Sequence, residues 1–299
     1  MSPLLLSEQH GFRSKRSTVT NLCLFCRDII NCFDDRIQLD AVYLDFSKAF
    51  DRVNCNLLLS KLEGMGLTGP ILLWMRSFLC GRSQIVKYNS YFSKEFEVKS
   101  GVPQGSHLGP LLFNLFINDC KVVFSLKFLL FADDIKIFSP VRGLEDAQEL
   151  QRQISRFLEW TYRNALYLNA SKCHIITFNR CSFPVMFDYS LGDVLLNRCT
   201  LIKDLGVMLD SELTFKSHIE RIVAKAHRVL GFVVRNSSDF TPQTLKLLYC
   251  SLVRSSLEYA SCIWSPYYQC DIDYVEGVQR KFFRCMAFRS FSTVEFKGA

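Results

Sequence analysis

The sequence predicts an α/β (α+β) protein, with an antiparallel sheet interleaved with helices over about the first 210 residues and a helical C-terminal part after it. Three observations carry this. Short apolar runs at 41–46, 128–132, 135–138 and 174–178 have the length and β-branched or aromatic content of strands. Segments between them repeat apolar residues at helical spacing, and beyond residue 210 helical periodicity is nearly all that remains.

In chain order, a polar and basic segment at 8–17 leads into a helix with Val19, Leu22, Phe25, Ile29 and Ile30 on one face. In the run 41–46, period two sets Val42, Leu44 and Phe46 against Tyr43 and Asp45, which leaves Asp45 at a strand's end. Helices follow at 55–64 and 70–80, the second opening on Pro70 and closing before Gly81. Residues 84–99 read as a hairpin turning at Asn89-Ser90. The loop 101–110 is rich in glycine, and its final proline suits the first turn of a helix over 111–119. Strands 128–132 and 135–138 meet at the acidic turn Asp133-Asp134. An amphipathic helix at 147–161 and a strand at 174–178 come next, and then three helical faces. These are Ile219 to Leu230, Leu245 to Val253 (with Leu248 and Leu252), and Val275 to Met286 (with Val278, Phe282 and Phe283).

Composition narrows the function classes. With 299 residues, 49% hydrophobic and 22% charged, the chain can build a packed core and is neither disordered nor a repeat array. No apolar run approaches the ~20 residues of a membrane span, because Asn114, Ser125 and Lys127 interrupt the longest ones. The 13 cysteines are scattered singly and no secretory signal precedes them, so a reducing intracellular home, nucleus or cytoplasm, is expected. The pair Cys23 and Cys26 reads as two helical core cysteines rather than a zinc site. A formal charge of +7 leans toward a polyanionic partner. About +4 of it lies from residue 211 onward, where 12 Lys or Arg face 8 Asp or Glu.

Asp45 at a strand end and Asp133-Asp134 in a turn are ordinary one by one. Pairing of their apolar strands in one sheet would bring Asp45 and Asp133 together, and clustered carboxylates require a cation. Two divalent ions held so would activate a hydroxyl and neutralise a leaving pyrophosphate, the chemistry of nucleotide polymerases. The order of segments then resembles the reverse transcriptase of non-LTR retrotransposons, most closely the jockey-like clade. The resemblance rests on Tyr43-Leu44-Asp45-Phe46-Ser47-Lys48-Ala49-Phe50-Asp51, on 100–110, and on Phe131-Ala132-Asp133-Asp134. It continues through Asn169-Ala170-Ser171-Lys172-Cys173, 204–210, 252–260 and Gln9-His10-Gly11-Phe12-Arg13.

The resemblance implies a right-hand polymerase with partial fingers at 1–36, an antiparallel palm at 37–210 and a helical thumb at 211–299. It implies Asp45, Asp133 and the backbone carbonyl of Phe46 as ligands of two Mg²⁺ ions, Mn²⁺ being the alternative, with Asp134 as an accessory carboxylate. Phe50 matches a steric gate against a ribose 2′-hydroxyl, although by itself it is a Phe packing under a helix. Gly101, Pro103, Gln104 and Gly105 match the loop beneath the templating base and incoming sugar, which the residues alone make a helix-entry turn. Lys172 matches a general acid for pyrophosphate, otherwise a surface lysine. Arg13, with Lys15 and Arg16, suits a template or triphosphate contact, or a solvated basic loop. Arg221, Lys225 and Arg228 form one stripe opposite the apolar face of the first thumb helix, placed to track a phosphate backbone. The implied partners are an RNA template, a DNA primer and deoxynucleoside triphosphates, without a membrane.

The sequence departs from the family upstream of Gln9, where further fingers strands with triphosphate-clamping Lys and Arg are expected, and in carrying no endonuclease domain; both imply N-terminal truncation. Cys55 stands where the clade usually has histidine. A catalytically inactive, nucleic-acid-binding remnant is the competing expectation. Others are an intron-encoded or telomere-maintaining polymerase of the same palm family, which the thumb segment disfavours, and an unstable fragment.

Overall fold

Leu39, Ala41, Val42 and Leu44 are all nearly inaccessible, so the strand β1 (Gln38–Leu44) is buried on both faces, as only a central strand can be. The computed structural model describes residues 5–180 and 183–295. It divides into two compact units, one up to Thr200 and one from Leu201.

In the first unit, α1 (Thr18–Asp34) starts at a capping box in which Ser17 and Thr20 exchange side-chain and backbone hydrogen bonds. After β1 come α2 (Ala49–Arg52), α3 (Cys55–Gly64) and α4 (Pro70–Leu79). Short strands β2 (Arg82–Gln84), β3 (Lys87–Tyr88), β4 (Tyr91–Phe92) and β5 (Phe96–Val98) pair β2 with β5 and β3 with β4. Asn89, at φ 53°, starts the expected turn. Helix α5 (Leu108–Ile117) begins three residues earlier than expected, because Pro110 is tolerated within a first turn whose N–H groups have no partners.

The main sheet has the order β11-β8-β1-β7-β6, with β6 (Lys127–Phe131), β7 (Asp134–Val141) and β8 (His174–Phe178). Helix α6 (Leu144–Arg163) lies between β7 and β8 in sequence, and the small hairpin β9 (Ser190–Leu191) and β10 (Val194–Leu195) precedes β11 (Asn197–Cys199). Pairing is antiparallel as expected, except that β11 runs parallel to β8 at one edge. Val42, Leu44 and Phe46 join one core with Leu58, Phe113, Phe116, Ile154 and Phe157, from α3, α5 and α6. Against the opposite face, Phe25 of α1 packs edge-on to Tyr43, Phe138 and Phe178. The cysteine pair is split: Cys26 is buried and Cys23 exposed. Cys23 sits about 100° around the helix from Leu22 and so leaves the buried stripe.

The second unit opens with the hairpin β12 (Leu201–Asp204) and β13 (Val207–Asp210), so these residues belong with the helices rather than the main sheet. Then come α7 (Lys216–Arg235), α8 (Pro242–Leu248), a π-helical stretch Tyr249–Arg254, and α9 (Ser255–Glu258), α10 (Ser261–Trp264) and α11 (Gln269–Glu295). Ile219, Ile222, Val223, Ala226 and Leu230 are buried as their periodicity demands. Leu252, expected inside, is 47% exposed, while Leu245, Tyr249, Val253 and Leu257 are buried. The wider π-helical turn moves the buried stripe to every fourth residue. Among the described residues no helix is long and apolar enough to cross a membrane.

Candidate active site

Strand β1 ends with Leu44 opposite Ile135 of β7, and β7 pairs with β6 down to Phe131 opposite Asp134. Asp45 therefore leaves the sheet at the level of the two-residue turn Ala132-Asp133. The juxtaposition expected of Asp45 and Asp133 is present. Burial pushes the Asp133 carboxyl above the usual carboxylate range and the Asp45 charge adds to this, against a backbone hydrogen bond that opposes it. Asp45 Oδ2 is buried without a hydrogen-bond partner among the described residues, and the Lys172 ammonium stands 3.6 Å from it. Lys172 is thus brought to the acids by a single turn of 3₁₀ helix, Ala170–Lys172. Asp134, the first residue of β7, is exposed.

These donors suit a hard divalent cation: two adjoining carboxylates, one with an orphaned oxygen, whose mutual repulsion the ion would relieve. Among the described residues no three His, Cys, Asp or Glu side chains converge as a metal cluster. Next to Asp45, Phe46 offers a backbone carbonyl. Asp45 O accepts from Asn169 N and Ser47 N donates to Tyr167 O, both at 2.8 Å. Alternation along a strand then directs the Phe46 carbonyl to the opposite edge, the one along which β7 runs.

Phe50, Pro103, Gln104, Gly105, Gly109 and Pro110 line a cavity of about 250 Å³. Four of these are residues the sequence picked out. Phe50 is fixed by stacking on Phe113, with centroids 4.4 Å apart. The loop is laid against α2 by Gly101 N to Val53 O (2.8 Å), Val102 N to Phe50 O (2.9 Å) and Ser100 Oγ to Asp51 O (2.8 Å). Gly101 has φ +90° and approaches so closely that a Cβ would lie 2.8 Å from Asp51 O. Two participants escaped sequence reasoning. Asp51 receives the Gln104 amide, and Gly109 passes where a Cβ would stand 2.7 Å from Pro103 O. Their only sequence signal is their position inside motifs already marked. Cys55 is buried and its thiol points to the Leu79 and Gly101 carbonyls, so that position is structural here.

The four basic residues fare differently. Arg13 folds back, donating to the Leu6 and Gln9 carbonyls, which draws its guanidinium onto its own loop rather than outward. In the second unit, Arg221 donates to Gly206 O at 2.7 Å, whereas Lys225 and Arg228 stand exposed on α7 opposite its buried face.

An antiparallel sheet presenting two coupled carboxylates at one end, with a glycine loop opening a helix close by in the fold, is the palm of a nucleotide polymerase. Residues 2–234 match the family described as reverse transcriptase (RNA-dependent DNA polymerase), and the chain belongs to that family. It is 29% identical over 300 residues to a probable RNA-directed DNA polymerase from transposon BS of Drosophila melanogaster, covering 95% of this chain and 33% of that protein. To the corresponding X-element protein it is 30% identical over 285 residues, covering 91% and 31%. To the RNA-directed DNA polymerase from mobile element jockey of the same fly it is 30% identical over 225 residues, covering 72% and 24%. The chain spans about a third of the length of the first two and less of the third. Among solved structures, telomerase from Candida tropicalis in complex with a fragment of telomeric RNA matches with a TM-score of 0.52 at 15% identity. That match covers 98% of this chain and 44% of the other, a likeness of fold.

Proposed function

We propose that this chain is the polymerase part of a non-LTR retrotransposon enzyme and adds deoxynucleoside triphosphates to a primer 3′-hydroxyl on an RNA template. The observation that carries the reading is the pairing of β1 with β7, which sets Asp45, just past the end of one strand, beside the turn that holds Asp133. Two Mg²⁺ ions held by Asp45, Asp133 and the Phe46 carbonyl would supply activation of the 3′-hydroxyl and charge neutralisation on the leaving pyrophosphate. The primer 3′-hydroxyl gives its proton to solvent as its oxygen bonds to the α-phosphorus, and the bond from that phosphorus to the bridging oxygen breaks. Lys172 is the proton donor to the departing pyrophosphate oxygen, a role its position 3.6 Å from Asp45 supports. Asp134, exposed at the start of β7, would add negative charge near the ions from outside the pair.

Phe50 closes the sugar side of the cavity against a 2′-hydroxyl, and its stack on Phe113 keeps the ring from swinging away. Gly101, Pro103, Gln104 and Gly105 form the floor, where backbone without side chains lets a base pair approach. On α7, Lys225 and Arg228, with Arg221 held at the neighbouring hairpin, read the phosphate backbone without regard to sequence. Arg13 serves the loop rather than the triphosphate. The test is incubation of the purified chain with an RNA template, a DNA primer, deoxynucleotides and Mg²⁺. Extension supports the reading. Salt-sensitive binding without extension would instead assign a nucleic-acid-binding protein lacking catalysis.

A further inference from the structure

Gln9 is 2% exposed and lies far from the acids in sequence, yet its amide is spent on the residue that precedes Asp133. Oε1 accepts from Ala132 N at 2.9 Å and from Gly11 N at 2.7 Å, while Nε2 donates to Ala132 O at 3.2 Å. One side chain thereby satisfies both backbone polar groups of Ala132. That residue needs it: Ala132 has φ +56°, the left-handed region that an L side chain rarely takes, and it is half of a two-residue turn.

The surroundings fix the clamp in turn. Gly11 presses on the same turn so closely that a Cβ would lie 2.3 Å from Ala132 N. Asn114 Nδ2 donates to Gly11 O at 2.9 Å and Asn21 Nδ2 to Leu130 O at 3.0 Å. His10 N donates to Leu130 O at 2.9 Å and Leu130 N to Glu8 O at 3.0 Å, so residues 8–10 extend the sheet beside β6. Strained backbone persists only where such contacts over-determine it.

We propose that Gln9 is a positioning residue for Asp133: its amide holds Ala132 in the left-handed conformation and so aims the Asp133 carboxyl at Asp45. The proposal rests on the reading of these two acids as the cation-binding pair. A merely structural Gln9 would tie the first segment to the sheet, and its loss would lower thermal stability alone. A positioning Gln9 also governs cation affinity and turnover.

The experiment titrates Mn²⁺ into wild-type chain and into Gln9→Met, which keeps length and loses the amide, well below the unfolding temperature of each. Hydrogen exchange of the Ala132 amide and primer extension are followed on the same samples. The expected result is a Mn²⁺ dissociation constant raised about tenfold or more and a lowered kcat with little change in KM for the template–primer. The Ala132 amide, protected in wild type, then exchanges faster. Gln9→Asn, one methylene too short to reach, should behave alike and substitutes if Gln9→Met does not fold. Equal Mn²⁺ affinity and kcat in wild type and a folded variant overturn the proposal while leaving the polymerase reading intact. An Ala132 amide unprotected in wild type also overturns it. Absence of Mn²⁺ binding by wild type overturns the cation-binding reading, and the proposal with it.

Discussion

Gln104 Nε2 donates to Asp51 Oδ1 at 2.6 Å, tying the glycine loop to the short helix that carries Phe50. This side-chain hydrogen bond adds to the backbone contacts and the Phe113 stack that hold the floor and one wall of the 250 Å³ cavity. Asp51→Ala frees the Gln104 amide. The expected outcome is a rise of about tenfold in KM for the deoxynucleotide, the equivalent of about 1.4 kcal/mol and at the low end for a bond to a charged group. The fall in kcat should be smaller, and steady-state primer extension at varied nucleotide concentration separates the two.

Phe50 stacks on Phe113 with ring planes 24° apart, so its ring is a fixed wall rather than a rotating one. Phe50→Val should relax sugar discrimination by about a hundredfold, as expected where a site excludes a group by shape. The ratio of kcat/KM for a deoxynucleotide to that for its ribonucleotide measures it. An unchanged ratio would return Phe50 to the role of a core residue.

His10 and His218 are both buried, and burial foremost pushes each imidazole down to about 4. Arg16, Lys136 and Arg13 add to this at His10, and Arg221 at His218. Each is neutral in the native state and becomes protonated on unfolding below its ordinary value of about 6.5. The unfolded state then binds more protons, so stability is full above pH 6.5 and declines as pH falls toward 4. Thermal unfolding followed between pH 7 and 4 should show that decline. His218→Asn should remove the His218 share of it and leave that of His10, because the Asn oxygen stands near the Nδ1 position and can still accept from Met208 N, as His218 Nδ1 does at 3.2 Å.

Much of the sheet is legible in the sequence because its strands are short, apolar and bounded by turn residues. Strand 174–178 and helix 55–64 fall where periodicity sets them. Asp45 and Asp133 were legible as residues, since one stands at a strand's end and the other in a tight turn between strands. Their proximity depends on β1 pairing with β7, which no local pattern encodes. Gln9 was legible only as part of a motif, because its hydrogen bonds reach 123 residues along the chain. The partners that Arg13 and Arg221 take within their own segments were not legible either. A guanidinium near a polyanion site looks the same in sequence as one that caps its own loop or hairpin. Leu252 was misplaced because periodicity of 3.6 fails at a π-helical turn.

Asp133 has its carboxyl raised by burial and by Asp45, so without a cation its ionisation costs native stability, and that cost grows as pH rises through its folded-state value. Two outcomes are expected in metal-free buffer at pH 8: Asp133→Asn unfolds at a higher temperature than wild type, and Mg²⁺ stabilises wild type only. Saturation at ten times the dissociation constant supplies about 1.4 kcal/mol, a shift of a few degrees for a unit of this size. Differential scanning fluorimetry with and without Mg²⁺ reads both effects. Equal responses of the two proteins to Mg²⁺ would mean that cations bind elsewhere.

If Asp45 and Asp133 together carry nucleotidyl transfer, neither carboxylate can be lost without losing it. The decisive measurement is primer extension on an RNA template with deoxynucleotides and Mg²⁺, comparing wild type with Asp45→Asn and Asp133→Asn, each shown by circular dichroism to be folded and by titration to bind the template–primer. Extension by wild type, lost in both variants while binding persists, is the predicted result. Extension that survives either substitution would mean that the two acids do not carry the reaction together.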